Sequence, residues 1–441
     1  MAPLSPARRW LALLALALGG FGIGATEFVA MGLLPDLAHD LLPGLSQRKP
    51  AAAIARAGWL ISAYALGVVV GAPVFAVLSV KLPRKALLLL LMAVLTLGTV
   101  ASAVLPSFGW VLLARFVAAL PHGAFFGTAA LVAGRILGPG NQGKGIAFVL
   151  TGLTVSNVLG VPVITRVGQL AGWRAAYLVV ALLFVLTFVA IVLAVPRQPS
   201  TAGASIRSEL RVLRRPQLWL MVAVGALGFG GFFAVYTYIA EVVRVEAGLS
   251  PAAVPWVLAV FGLGMTVGTL IGGWAADRNL RRTVLLGFPF FLAAMAGMAL
   301  AGGSPVGVFG GAFAVGATNM VLIPGVQARL IAVSGEAQLL GAALVHSALN
   351  LANSVGAGLG GLVVAAGYGY LAPSWVGVGL GLLGLGLVAL SFHTERRSGR
   401  GAGVPSAVIG SSHERAAPGR PETADVPARS AGPAAPAPLP G

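Results

Sequence analysis

The sequence has no cysteine and few charged residues for its length of 441 residues. The lack of cysteine excludes disulfide bonds, thiol catalysis and Cys-ligated metal sites. Charged residues make up only 9% of the chain, against about 25% in a typical soluble protein. Hydrophobic residues make up 58% of the chain, and its mean hydropathy is +0.93. This composition predicts an integral membrane protein.

Twelve apolar runs follow one another, each long enough to cross about 30 Å of hydrocarbon as a helix. The runs lack the strict two-residue alternation of a β-barrel, so the sequence predicts an all-α protein with twelve transmembrane helices. The third and fourth runs are divided only by Pro106-Ser107, and the ninth and tenth only by residues 302–305. The predicted spans are 10–34, 59–80, 86–105, 109–137, 145–166, 173–195, 217–243, 251–276, 283–301, 305–331, 339–365 and 370–391.

The spans fall into two six-helix halves, residues 1–195 and 217–392. A basic, Ser-containing stretch over 196–216 predicts a cytoplasmic linker, in which 205–213 is a candidate surface helix. Residues 393–441 are rich in Ala, Pro, Gly and Ser, and they bury too little apolar surface to fold. We therefore expect a disordered cytoplasmic tail after the second half.

Lys and Arg are concentrated in alternate connections between the predicted spans. Connections on the side of the two termini carry 19 of these residues, whereas connections on the other side carry 6. By the positive-inside rule, both termini are then cytoplasmic. The net charge of +17 is therefore mainly a signal of orientation, and we expect a lipid bilayer rather than a nucleic acid as partner.

A shift of 197 residues aligns the second predicted span with the eighth. One tryptophan and two glycines coincide: Trp59 with Trp256, Gly67 with Gly264 and Gly71 with Gly268. At a shift of 196, Thr154, Asn157 and Gly160 fall on Asn350, Asn353 and Gly356. Two six-helix halves in parallel repeat are an architecture of secondary transporters, whose binding site lies near midplane between the halves.

Glu27 is a carboxylate inside the first predicted span. Such a residue costs about 2.5–3.5 kcal/mol at the membrane centre on insertion scales, so it usually faces a cavity. Gly20 and Gly24 lie on the same helical face and leave room for a close neighbour. Arg115, in the fourth span, lies at a matching depth of about 10 Å if the two spans run in opposite directions.

The matched depth makes an ion pair between Glu27 and Arg115 possible. One interpretation is a fixed structural salt bridge, and the other is a proton-binding acid whose protonation depends on its partner. His122 lies seven residues after Arg115 and is expected on the same helical face. It is either a second proton acceptor or a neutral hydrogen-bond donor. In the repeat, Gly231, Ala312 and Asn319 align with Glu27, Arg115 and His122, so this set is predicted only for the first half.

Polar and aromatic side chains in other spans are candidates for substrate binding. His346, Asn350 and Asn353 are spaced to form a polar stripe on the eleventh helix. Hydrogen bonding between helices and packing in the core are the alternative explanations for all candidates. The polar candidates are Asn157, Asn319, Gln327, His346, Asn350 and Asn353, and the aromatic ones are Phe232, Phe233, Tyr236 and Tyr238, of which Phe232 and Tyr236 are preferred.

Four segments carry a family resemblance. They are GATEFVAMGLLP (24–35), RFVAALPHGAFFG (115–127), GLTVSNVLGVP (152–162) and GQLAGWR (168–174). Together they resemble the major facilitator superfamily, in its twelve-span drug/proton antiporter branch of arabinose-efflux-like and chloramphenicol-resistance-type exporters. The resemblance covers roughly residues 10–392 and implies the fold of that superfamily. Gly152, Gly160 and Pro162 resemble the antiporter motif of the fifth helix, which implies export.

The resemblance also implies a cytoplasmic gate, at the loop motif G-x-x-x-D-R-x-G-R-R. In the first half this motif is degraded, because Val80 and Pro83 stand where Asp and Gly belong. The missing acid puts an intact charge relay there in doubt. In the repeat copy Asp277 is retained, and it fits a structural role at a helix end. The implied gate residues are Lys81, Arg84, Lys85, Asp277, Arg278, Arg281 and Arg282.

The sequence shows no nucleotide-binding P-loop, metal-ligand cluster or nucleophilic triad, so we expect neither an enzyme nor a bound cofactor or metal. We expect a monomeric, proton-coupled exporter of a small neutral or weakly polar organic solute in the bacterial cytoplasmic membrane. It would work by alternating access between the two halves. Two alternatives remain open: a proton-coupled importer of a small solute, and a non-transporting membrane sensor on a transporter scaffold.

The predicted orientation is testable because the chain has no native cysteine. Single cysteines at Ser107, Gly303 and Gly369 are expected to react with an impermeant thiol reagent added outside intact cells. Cysteines at Ser208 and Ser398 are expected to react only after the cells are opened. Labelling of the Ser208 position from outside would reverse the orientation.

Overall fold

The computed structural model describes residues 5–138, 141–198, 214–334 and 338–397, and in these ranges the chain is helical with no β-strand. The described residues form one compact unit. The helices are α1 (Pro6–Gly32), α2 (Leu34–Leu41), α3 (Pro43–Arg48), α4 (Pro50–Ala57), α5 (Trp59–Lys81), α6 (Arg84–Val104), α7 (Phe108–Ala119), α8 (His122–Leu137), α9 (Gln142–Val155), α10 (Val161–Ala171), α11 (Trp173–Ala194), α12 (Pro216–Gly228), α13 (Gly230–Glu241), α14 (Val254–Ala301), α15 (Pro305–Ser334), α16 (Gln338–Ala365) and α17 (Ala372–Arg397).

Eleven helical stretches in the described part of the chain are long and apolar enough to cross a membrane. One of them, Pro251–Ala301, has 51 residues and contains both the eighth and the ninth predicted spans. As one straight helix it would be about 75 Å long, more than twice the hydrocarbon thickness. Asn279 interrupts it with a non-helical backbone at φ −158° and ψ 88°. The eighth and ninth spans are therefore joined by a kink rather than by a loop, and the fold has the twelve predicted crossings.

The two shortest predicted boundaries between spans, between the third and fourth and between the ninth and tenth, are confirmed. The chain leaves helical geometry between α6 and α7, at residues 105–107, and again between α14 and α15, at residues 302–304. α17 continues to Arg397, beyond the predicted end of the twelfth span. The candidate surface helix at 205–213 and the predicted tail after Arg397 lie outside the described residues.

Three spans are interrupted close to predicted site residues. The fourth breaks between α7 and α8 at Pro121, because proline lacks the N–H that a continuous helix requires. The fifth contains a π-helical turn, Ser156–Gly160, between α9 and α10. The seventh breaks at Phe229 and ends in a second π-helical turn, Val242–Glu246. Such turns inside helices are frequent at functional sites.

Tryptophan side chains mark the two ends of the spans. Seven of the eight are at least half exposed, and each lies near a helix end. Amphipathic indole rings are enriched where a membrane meets water, so these positions are typical of the two interfacial belts of a membrane protein. The exposed ones are Trp10, Trp59, Trp110, Trp219, Trp256, Trp274 and Trp375.

The internal repeat is visible in how the spans pack. In each half, two glycines of one helix lie so close to a neighbouring helix that an added Cβ would overlap a backbone carbonyl oxygen. The pairs are Gly67 on Phe116, Gly71 on Leu120, Gly264 on Phe313 and Gly268 on Ala317. Each glycine and its partner shift together by 197 residues between the halves. The sequence alignment therefore reflects a repeated structure rather than a shared composition.

The two halves meet through the second and eleventh spans and through the fifth and eighth. The Ser62 hydroxyl on α5 donates to the Ser354 carbonyl on α16, 3.3 Å away. The Gln169 side chain on α10 donates to the Pro251 carbonyl at 2.8 Å. Gly262 on α14 has no side chain, which leaves room for the backbone of Asn157. Helix α1 contacts α5, the π-helical turn of the fifth span and α14, so the first span lies beside both interfaces.

The repeated close contacts generate a stability prediction. Replacing Gly67 or Gly264 by Ala forces a methyl group against a carbonyl oxygen, and such overpacking typically costs about 1–3 kcal/mol. Gly379 on α17 faces open space, so Gly379→Ala serves as the control. In detergent, both interface variants are expected to unfold at a lower temperature than this control. Equal unfolding temperatures would contradict the close approach of the helices.

Candidate functional site

Glu27 lies on α1, facing the second half of the protein. Its side chain is buried, with 7% of the residue exposed. The Asn353 amide on α16 donates to Oε1 at 3.5 Å, and Nε2 of His122 lies 4.0 Å from Oε2. Gly24, on the same helix, gives close access to Leu153 and Ser156 of the fifth span. The main neighbour that Gly20 and Gly24 admit is therefore the fifth span, although Gly20 also contacts the Phe126 ring of the fourth span.

The ion pair between Glu27 and Arg115 that their matched depth makes possible is not formed in this arrangement. Among the described residues, no charged nitrogen of Arg115 lies within 4.0 Å of a carboxylate oxygen. Its two terminal nitrogens instead donate to Thr26, at 3.1 Å to the hydroxyl and 3.0 Å to the main-chain carbonyl. The matched depth correctly placed Arg115 beside the turn of α1 that contains Glu27. The rotation of the helices about their axes, however, directs its guanidinium to Thr26, the residue before Glu27.

Tyr64 connects Arg115 with His122. The Arg115 guanidinium carbon lies 4.2 Å from the centre of the Tyr64 ring and 5.3 Å from that of Tyr177. The Tyr64 hydroxyl lies 3.2 Å from Nδ1 of His122. Arg115 and His122 therefore share a partner, although Pro121 interrupts the helix between them. Arg115 is completely buried, and the aromatic faces and the two hydrogen bonds offset part of its lost hydration, while its Nε has no hydrogen-bond partner among the described residues.

The predicted polar stripe on the eleventh helix faces the first half. The His346 ring stacks on Phe126 with centroids 5.9 Å apart, and it lies 6.5 Å from the His122 ring. One turn later the Asn350 amide donates to the His346 carbonyl at 3.1 Å. Asn353 follows and reaches Glu27. The stripe therefore spans the region between the two histidines and the acid.

Phe232 and Tyr236 on α13 belong to an aromatic cluster that also crosses between the halves. The Tyr236 ring lies 5.5 Å from Phe232, 4.6 Å from Phe261 and 5.3 Å from Phe28, which follows Glu27 in sequence. Phe232 also contacts Phe233 edge to face, at 5.0 Å. The cluster forms an apolar wall next to the acid.

Several predicted binding residues keep a buried polar atom without a hydrogen-bond partner among the described residues. Buried polar atoms are normally paired, so each such atom calls for an explanation such as a ligand or a water. They are the side-chain oxygens of Asn157, Asn319, Asn350 and Asn353 and the Tyr236 hydroxyl. Tyr238 differs, because its hydroxyl donates to the Ala357 carbonyl at 2.7 Å, so it holds two helices together.

The implied gate residues make contacts inside their own halves. The Lys85 amine donates to the Val192 carbonyl at 2.7 Å, and the Arg84 main-chain N–H donates to the Gln198 carbonyl at 3.2 Å. Arg278 lies over the Trp274 ring at 3.7 Å, and Arg281 lies 5.5 Å from the Phe392 ring.

Two further gate residues, Arg282 and Asp277, have no hydrogen bond or ion pair to the other half among the described residues. The Arg282 main-chain N–H is capped by the Asn279 side chain at 2.9 Å. Asp277 is exposed and has no ion pair among the described residues. The side chain of Lys81 lies outside the described residues.

Sequence reasoning missed a second buried acid, Glu241, at the end of α13. Only 6% of this residue is exposed, and Oε1 lies 3.6 Å from a guanidinium nitrogen of Arg244. The signal was available, because Glu241 is a carboxylate within a predicted apolar span, as Glu27 is. Thr26, Tyr64 and Phe126 were also missed, and their types gave no comparable signal.

The comparisons with known proteins agree with this architecture. The family model described as Major Facilitator Superfamily matches residues 16–249 and 238–413. The chain is 38% identical to the inner membrane transport protein YdhP of Escherichia coli strain K12, over 86% of this chain and 95% of that protein. It is 32% identical to a chloramphenicol resistance protein of Streptomyces lividans, over 87% and 96% of the two chains.

Among solved structures, the chain resembles a D-xylose-proton symporter with a TM-score of 0.69. The match covers 86% of this chain and 97% of that one at 17% identity, which supports a shared fold and nothing finer.

The Arg115 contacts generate a second stability prediction. Arg115→Lys is expected to lower the unfolding temperature more than Thr26→Val, because an ammonium cannot reproduce the two-pronged bonding and the stacking of guanidinium. Thr26→Val removes one acceptor and leaves the carbonyl, at a cost of about 1 kcal/mol. Thr96→Val is the control, since the Thr96 hydroxyl donates to the Met92 carbonyl of its own helix. An Arg115→Lys variant as stable as this control would contradict the assignment.

Proposed function

Because the chain belongs to the major facilitator superfamily and is a multi-pass membrane transporter rather than an enzyme, we propose that it is a proton-coupled exporter of small neutral or weakly polar organic molecules. It acts by alternating access, as its two halves rock about a central site. The observation that carries the proposal is the environment of Glu27. Among the described residues no Arg or Lys is paired with this buried acid, and it lies where the two halves meet.

A fixed salt bridge would hold Glu27 in its ionised form throughout the cycle. The arrangement here avoids that, because Arg115 is bonded to Thr26. The acid is left with a neutral amide and an imidazole as its nearest polar partners. A carboxylic acid without charge is tolerated in such an apolar site, and a carboxylate is tolerated when the cavity opens to water. Glu27 is thus suited to take up and release a proton during each cycle, with Arg115 and His122 tuning the exchange.

The substrate site in this proposal lies against the same acid. The unpartnered side-chain oxygens of Asn157, Asn319, Asn350 and Asn353 offer hydrogen-bond acceptors. Phe232 and Tyr236 offer an apolar wall, and His346 contributes a ring at the edge of the stripe. A neutral molecule with an apolar face and a few polar groups matches such a mixture. The other buried acid among the described residues, Glu241, is paired with Arg244, which favours a solute without a large positive charge.

Export is favoured by the antiporter-like sequence of the fifth helix and by the relative described as a chloramphenicol resistance protein. We place the protein in the bacterial cytoplasmic membrane, as its inner membrane relative is, and we propose that it acts as a monomer. The distribution of Lys and Arg places both termini in the cytoplasm. The basic turns at residues 81–85 and 277–282 then lie on the cytoplasmic side. We assign them to the cytoplasmic gate. In this role their basic side chains would exchange their present contacts for new ones when the two halves change position.

The proposal is tested by replacing Glu27 with Gln, which keeps the shape but cannot release a proton. Cells that carry the wild-type protein are first screened for tolerance to neutral antibacterial compounds, chloramphenicol included. In vesicles with an imposed pH gradient, Glu27→Gln is expected to abolish accumulation of the compound identified. Binding and downhill exchange of the same compound are expected to persist.

Glu241→Gln is the matched control, because Glu241 is also a buried carboxylate but has a guanidinium partner, with Oε1 3.6 Å from a nitrogen of Arg244. This variant is expected to keep its proton-driven accumulation. If Glu27→Gln still builds a gradient from the imposed pH difference, the proton is carried by another residue, and His122 is the next to replace.

A further inference from the structure

Glu27 belongs to the first half of the protein, but its hydrogen-bond donor belongs to the second. The Asn353 amide nitrogen on α16 lies 3.5 Å from Oε1 of Glu27. Asn353 is buried, with 1% exposed, and its own side-chain oxygen has no partner among the described residues. Among the described residues, the carboxylate of Glu27 is therefore the one hydrogen-bond partner of this amide group.

The other polar and charged groups around Glu27 do not share this property. His122 approaches to 4.0 Å, but it lies on α8 of the same half. Arg115 and Tyr64 also belong to the first half, and Arg115 is bonded to Thr26. Tyr236 comes from the second half and packs on Phe28, but its hydroxyl is unpartnered. His346 packs on Phe126 rather than on the acid.

We infer that Asn353 is a positioning residue that makes the proton affinity of Glu27 depend on the relative position of the two halves. The inference rests on the proposed function, in which the halves move about Glu27. In the arrangement described, the amide stabilises the carboxylate. When α16 moves away from α1 during the cycle, the carboxylate loses this donor and takes up a proton more readily.

The contact between Asn353 and Glu27 is suited to such a role because it consists of one hydrogen bond with a long donor–acceptor distance. A hydrogen bond to a charged acceptor is stronger than one to a neutral acceptor, so Asn353 favours the ionised acid over the protonated one. At 3.5 Å, a displacement of about 1 Å takes the pair beyond hydrogen-bond distance. A rocking motion therefore switches the donor on or off without disrupting the packing around Arg115. A substrate that engages the Asn353 amide would compete with Glu27 in the same way.

The inference is tested without a known substrate by infrared titration of the purified protein in lipid. The absorption of the protonated Glu27 carboxyl group is identified by its loss in Glu27→Gln. In Asn353→Leu, the pH at which half of this absorption disappears is expected to rise by about half to one unit, a three- to tenfold change in proton affinity. Asn353→Asp keeps the shape and introduces a second acid, so a larger rise is expected from like-charge repulsion.

Asn350→Leu is the matched control, because Asn350 lies one turn away on the same helix and donates to the His346 carbonyl of its own helix. It is expected to impair substrate binding but to leave the titration of Glu27 at the wild-type pH. A wild-type midpoint in both Asn353 variants, or an equal shift in Asn350→Leu, would overturn the inference.

Failure of the proposed function would look different. In that case the pH midpoint of the Glu27 titration would still shift in the Asn353 variants. The Glu27→Gln protein, however, would still build a substrate gradient from an imposed pH gradient.

Discussion

The structure is organised by the need to provide protein partners for a carboxylate and a guanidinium in a helix bundle that excludes water. Neither group obtains its partners from its own helix. Glu27 is approached by His122 and Asn353 from two other spans, and Arg115 donates to Thr26 across two helices. Because an unpaired polar group costs several kcal/mol in such surroundings, these contacts restrict how α1, α7 and α16 can be arranged. The electrostatic requirement thus determines much of the packing at the centre.

Arg115 stabilises the bundle without pairing directly with Glu27. Its guanidinium is held by two hydrogen bonds to Thr26 and by the faces of Tyr64 and Tyr177. These acceptors are neutral, so Arg115 remains a fixed charge close to the acid without being neutralised by it. A direct pair would be stronger but would also resist protonation of the acid.

The sequence predicted the spans better than it predicted the contacts of the candidate site residues. Apolar length and the Gly and Pro breaks determine where helices start and end, so the twelve spans followed from composition. Glu27 was recognisable because carboxylates are rare in apolar runs. The depth of Arg115 followed from the helical rise, but depth gives no rotation about the helix axis, and that rotation separates Glu27 from Thr26. The contact of Glu27 with Asn353 joins residues 326 positions apart, which no local pattern encodes.

The two halves share one repeated architecture but differ chemically at the position of Glu27, which Asn353 contacts. Asn157 and Asn353 occupy corresponding positions in the fifth and eleventh spans. Asn353 meets Glu27, whereas the position that corresponds to Glu27 in the seventh span is Gly231, which packs closely against Gly377. The side-chain oxygen of Asn157 has no partner among the described residues. The acid and its amide partner thus come from different halves, and the positions related to them by the repeat hold Gly231 and Asn157. In the proposed function, this asymmetry lets the protein exchange a proton at one position and hydrogen-bond a neutral molecule at the other.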